Sequence, residues 1–151
     1  MNDLQLDDFQ NWKKVNGERF SKVDYINGVC HTNHLSTDIY FASLDLFWPE
    51  FYQHNGMIFI KDSFDTKTKS EGFFDPAKEN HRNEYWINLL SLDNFFEDGT
   101  QKEYEFFGRK LAESWLGKLE MDFPDKTFSI HIVNDDEDSW VTFHQTSNKE
   151  K

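Results

Sequence analysis

The feature that most constrains the fold is a change of hydrophobic period at Phe123-Pro124. Upstream of it, Tyr104, Phe107, Leu111, Trp115 and Leu119 recur at three- and four-residue steps, the spacing of one face of an α-helix. Thr100-Gln101-Lys102-Glu103 opens that helix as a capping box, the threonine and the glutamate each satisfying a backbone donor of the first turn. Gly108 and Ala112 leave room on it for the close approach of another element. Downstream the period is two. Phe128, Ile130 and Ile132 alternate with Thr127, Ser129 and His131, and Trp140, Thr142 and His144 alternate with Val141 and Phe143.

The two runs make a hairpin whose register follows from burial. A four-residue loop, Asp135 to Asp138, sets Ile132 opposite Val141 and Ile130 opposite Phe143. A five-residue loop sets Ile130 opposite Thr142 instead. One buried face demands the first arrangement. The other face then carries Ser129, His131, Val133, Trp140, Thr142 and His144.

The rest of the chain supplies more helix than strand. Asp3 to about Val15 reads as a short helix with Asp3 as N-cap, Leu6, Phe9 and Trp12 on one stripe, and Gly17 just past its end. Residues 20–35 show no settled period, and Asn27-Gly28 suggests a turn. A helix opened by Thr37 carries Tyr40, Phe41, Leu44, Phe47 and Trp48, and Pro49 stops it. Met57-Ile58-Phe59-Ile60 is an interior strand, apolar on both faces. Asp75-Pro76 caps a helix that continues through Ala77, His81, Tyr85 and Leu89. The polar stretch 62–75 is expected as a mobile surface loop, and 146–151 as a frayed tail. Strands do not alternate regularly with helices, so the class is α+β. About four helices pack on one face of a small, mainly antiparallel sheet that ends in the C-terminal hairpin. At 151 residues the chain fits a single globular domain, 1–151.

Charge narrows the partners. The net charge is −12, and residues 1–50, 51–100 and 101–151 each carry four more acids than bases, so the acidity belongs to no tail or separate module. A negative field of this kind repels phosphate backbones and anionic lipid, which argues against nucleic acid and membrane surfaces. The N-terminus has no basic region followed by an apolar run, and no apolar stretch is long enough to span a bilayer. Cys30, a single cysteine, gives no internal disulfide, so a cytoplasmic location is expected.

Four constellations carry chemically capable residues. Cys30-His31-Thr32-Asn33-His34 has zinc-ligand residue types, but no second pair stands elsewhere at ligand spacing, so no metal and no cofactor are expected. His81, Glu84 and Asn88 share one side of a helix, where Glu84 would orient His81 as a general base; a solvated helix face gives the same spacing. His131 and His144 are diagonal neighbours on one face of the hairpin, within reach of Trp140 and Thr142. The tip Asp135-Asp136-Glu137-Asp138 lacks the spacing of a calcium loop and reads as a solvated turn or as an anionic prong for a basic partner. No phosphate-cradling glycine loop, nucleophile elbow, zinc-protease helix or dinucleotide fingerprint is present.

The leading expectation is a non-catalytic acidic binding protein, immunity- or inhibitor-like, that recognises a basic protein through Asp135, Asp136, Asp138 and Trp140. In bulk proportions the chain is similar to small acidic bacterial immunity proteins. The alternative is a small hydrolase-type enzyme with an acid/base site at His81 and Glu84, supported by Asn88.

Overall fold

The structure, a computed structural model, describes residues 4–69, 75 and 77–148. It divides into two units, Met1–Ser43 and Leu44–Lys151.

The first unit is helical. Helices α1 (Asp7–Asn16) and α2 (Lys22–Thr32) are joined through a ring cluster in which Phe9 and Trp12 meet Phe20 and Tyr25 at centroid separations of 5.7 to 6.3 Å. Leu6 stands at the N-cap of α1 and makes no side-chain cap bond, while the expected cap, Asp3, lies outside the described residues. Helix α2 runs straight through Asn27-Gly28, where the sequence suggested a turn. Ser21 and Asp24 form a capping box at its start, and the Asp24 carboxyl is held below its usual range by its bonds to the Ser21 hydroxyl and N–H. Gly28 sits under Trp12. A Cβ there would lie 2.7 Å from the indole ring, so this glycine serves a close approach of helices rather than a turn.

Helix α3 (Asp38–Phe47) begins in the first unit and ends in the second, just before Pro49 as expected. It buries none of its residues.

The second unit is built around the C-terminal hairpin. Strands β4 (Lys126–Asn134) and β5 (Ser139–Asn148) pair with Ile132 opposite Val141 and Ile130 opposite Phe143, the register that the four-residue loop requires. A short edge strand, β3 (Leu90–Ser91), adds to β5 to complete a three-stranded antiparallel sheet of order β3-β5-β4. A second, two-stranded sheet pairs β1 (Phe51–His54) with β2 (Met57–Ile60). Its turn places Asn55 and Gly56 at φ 50° and 80°, the left-handed pair that Asn-Gly accepts readily. All four residues of β2 are buried, as its apolar run implied.

Helix α6 (Gln101–Asp122) carries the predicted capping box and covers one face of the hairpin. Leu111, Ala112, Trp115 and Leu119 pack there with Val141, Phe143, Ile58, Ile60 and Leu92. A Cβ on Gly108 would meet Leu92 and Ile132 at 3.0 and 3.1 Å, so the glycine sets how closely α6 can lie on β4. Helix α5 (Asn80–Ile87) covers the opposite face, so the helices do not share one side of the sheet as expected. The first half of the polar stretch 62–75 is helical too. Helix α4 (Lys61–Lys67) carries a Lys61–Asp65 ion pair one turn apart and packs Phe64 against Phe59, while 70–74 and 76 lie outside the described residues. Strand β5 takes in 146–148, the start of the expected tail. The class is α+β as expected, with small antiparallel sheets and a C-terminal hairpin, and the described residues hold six helices, α2 and α4 being additional to those read in the sequence. No helix of the described residues is long and apolar enough to cross a membrane.

Candidate functional site

The polar residues singled out in the sequence converge on α5 and on the hairpin face beneath it. Glu84 and Asn88, one turn apart, project into the gap between β2 and β5, and both are buried. One Glu84 carboxylate oxygen accepts the Ile58 N–H at 2.7 Å and the other accepts the Gln145 N–H at 3.0 Å. Asn88 accepts the Ile60 N–H at 2.9 Å and donates to the carbonyls of Ile58 at 3.0 Å and Phe143 at 3.4 Å. Two side chains therefore complete the backbone pairing of strand edges that do not pair with each other directly. Burial pushes the Glu84 carboxyl above its usual range, opposed by those two N–H bonds and by the charges of His144 and Lys126.

His81 does not join that arrangement. It is exposed, and its Nε2 lies 3.3 Å from Glu79. Its ring stands 5.7 Å from that of His144, which stacks at 5.0 Å and 21° on His131. Tyr85 closes the column, its ring 5.4 Å from His131. The diagonal placement expected from the register, Ser129 opposite His144 and His131 opposite Thr142, brings the two histidines together. Ser129 Oγ lies 3.3 Å from His131 Nε2, and His144 Nδ1 lies 3.2 Å from the Gln145 carbonyl. Desolvation, with His144 adding to it, pushes His131 below its usual range. The Thr142 hydroxyl and the Trp140 indole N–H donate to the backbone carbonyl and the hydroxyl of Tyr85, at 2.6 and 3.1 Å, so Trp140 is turned towards α5.

The acidic tip is an ordered turn. The Asp135 carboxylate accepts the N–H groups of Glu137 and Asp138 at 3.0 and 2.8 Å, which holds that carboxyl below its usual range. Asp93, which the sequence did not mark, accepts the Ser139 N–H at 3.1 Å, and Asn134 donates to the Gln101 carbonyl at 2.8 Å. The tip is thus braced on both sides. All four of its acidic residues are exposed, and so are Asp93, Glu97 and Asp98 in the loop before α6.

Beside Asp93 opens a cleft of about 580 Å³ whose walls include Lys67, Trp86, Leu89, Leu90, Asn94 and Phe95. Trp86 and Phe95 are exposed. The Lys67 ammonium donates to the carbonyls of Ile87 and Leu89 at 2.8 and 2.6 Å, capping the end of α5, and burial pushes it below its usual range. All of its walls but Lys67 come from residues 86–95, and no sequence pattern marks this segment as folding back on itself to leave a cleft.

Cys30 lies half-buried in the last turn of α2, with His31 and His34 exposed. Among the described residues no group of three or more His, Cys, Asp or Glu is arranged to hold a metal ion. Comparison with protein-family models, with curated proteins and with solved structures gives no match. Function is therefore read from the residues themselves.

Proposed function

We propose that this chain is a non-catalytic binding protein, of the immunity or inhibitor kind, that recognises a basic protein partner in the cytoplasm. The observation that carries this reading is the braced tip: Asp136, Glu137 and Asp138 are exposed on a turn already closed by Asp135 and tied to Asp93 and to the start of α6. Charges held in place before contact lose little freedom on binding and steer an oppositely charged partner. Trp86 and Phe95, exposed at the neighbouring cleft, are the residue types that anchor protein interfaces. The full use of both Glu84 oxygens by backbone N–H groups favours binding over acid/base chemistry at that residue.

The test starts from affinity capture by the tagged protein, washed at low and high salt, with bound species identified by mass spectrometry. The partner so found is then bound to the Asp136→Lys, Asp138→Lys variant, which leaves the Asp135 turn in place. The association rate should fall about tenfold or more, and the deficit should be larger at low salt. An unchanged rate at low salt removes the tip from the interface. A partner that carries no net positive charge removes the reading.

A further inference from the structure

We propose that His131 and His144, stacked between β4, β5 and α5, form an acid-responsive latch: neutral, they let α5 rest on the hairpin, and doubly protonated, they drive it off.

The geometry selects a proton as the ligand. The two rings are nearly parallel at 5.0 Å, so their in-plane lone pairs run side by side rather than converging on one metal ion. Protonating one ring leaves a cation beside a neutral ring. Protonating both puts two like charges in stacked contact.

The groups around the pair decide how many protons it can hold. From α5, Glu84 is the carboxylate that faces it, already committed to two backbone N–H groups, and Tyr85 covers His131. Also from α5, His81 stands 5.7 Å from His144 and has its own partner in Glu79. From β4, Lys126 adds positive charge that acts on the same Glu84. One imidazolium is therefore balanced by Glu84, and a second is not.

Repulsion is relieved where attachment is weakest. Strands β4 and β5 share a ladder of nine backbone pairs, whereas α5, an eight-residue helix, meets the hairpin through a few side-chain bonds and packs its buried Ile87 with Met57 and Phe59 of β2 instead. As α5 lifts, the Glu84 and Asn88 bonds break, and the edges of β2 and β5 lose their bridge. The linkage has a definite sign. His131 is depressed in the folded state, so the unfolded chain takes up its proton first, and stability present above the ordinary value of 6.5 is lost as pH falls below it. Glu84 is raised above 4.5 and works the other way, adding stability as pH falls towards that value. The latch thus opens in the window just below 6.5, where the histidine effect stands first. It needs no partner, so it stands or falls apart from the proposed binding function.

The test is an NMR titration of the wild-type imidazole resonances, together with amide exchange at Ile58, Ile60 and Gln145. Between about pH 7.5 and about pH 5.5, protection at these amides, corrected for intrinsic exchange, should fall about tenfold or more, while the His131 imidazole titrates below its ordinary value of 6.5. In His131→Gln the protection should persist at the lower pH; if that variant does not fold, His144→Gln breaks the same pair. A His131 imidazole that titrates at its ordinary value, or a loss of protection that survives in the variant, would falsify the latch.

Discussion

Two helices flank the same hairpin and are held to it by opposite means. Helix α6 presents Leu111, Ala112, Trp115 and Leu119 to the face that carries Val141 and Phe143, and the attachment is almost wholly apolar. Helix α5 meets the other face through Glu84, Asn88 and Tyr85, whose hydrogen bonds reach backbone groups of β2 and β5, the Thr142 hydroxyl and the Trp140 indole. Apolar burial has no direction, so neighbouring side chains can share a loss. A hydrogen-bonded bridge is directional, and each removed partner strands a specific buried donor or acceptor. The same hairpin therefore has one side anchored by volume and one side anchored by pairing.

The largest effect should come from the apolar side. Trp115 is almost fully buried, meets Phe143 edge-on at 6.2 Å, and donates its indole N–H to the Leu46 carbonyl at 2.9 Å. Trp115→Ala should cost about 3–5 kcal/mol in urea denaturation. A loss below about 1 kcal/mol would mean that α6 does not depend on its apolar face, and the contrast with α5 would break.

A smaller and differently shaped effect is expected on the polar side. Glu84→Gln keeps the volume and replaces one acceptor oxygen by an NH2 group, so the N–H of either Ile58 or Gln145 then faces a donor. The expected cost is about 1–3 kcal/mol, the penalty of one stranded buried group. Amide exchange gives the sharper measurement, because the loss of protection should be concentrated at Ile58 or Gln145 rather than spread over the core. Unchanged stability with even protection would show that water replaces the lost bond, and that α5 is not held by pairing.

The contrast also explains what could be read from the chain. Apolar periodicity is local, so α6, β2 and the register of the hairpin followed from windows of a few residues around Leu111, Ile58 and Ile130. Helix α2 escaped because Asn27-Gly28 resembles a turn when read locally, whereas Gly28 answers to Trp12 on another helix. The capping pair Ser21 and Asp24 was the signal that could have found it. Helix α4 escaped because all its residues but Phe64 are polar, and its support comes from outside it: Phe64 packs on Phe59, and Lys67 donates to the carbonyls of Ile87 and Leu89. At the candidate site, the shared face of Glu84 and Asn88 and the proximity of His131 and His144 were legible from spacing and register. The partners of Glu84 were not. They lie 26 and 61 residues away, and a carboxylate bound to two backbone N–H groups leaves no pattern in sequence. Trp140 was legible as a member of the hairpin face that holds His131 and His144, but its partner, the Tyr85 hydroxyl 55 residues away, was not.

The smallest effect tests how tightly the apolar side is packed. Helix α6 holds two glycines in different surroundings: a Cβ on Gly117 would meet nothing within 4 Å, and one on Gly108 would press on Leu92 and Ile132. Alanine loses less conformational freedom on folding than glycine, a gain of about 0.5–1 kcal/mol within a helix. Gly117→Ala should show that gain in full. Gly108→Ala should show little of it, or a net loss, because two side-chain ends in contact with the core must give way. Paired urea denaturations measure the difference. Equal gains at both positions would mean that α6 stands clear of the hairpin by more than a methyl group, and the apolar attachment would then have slack that the polar bridge of α5 lacks.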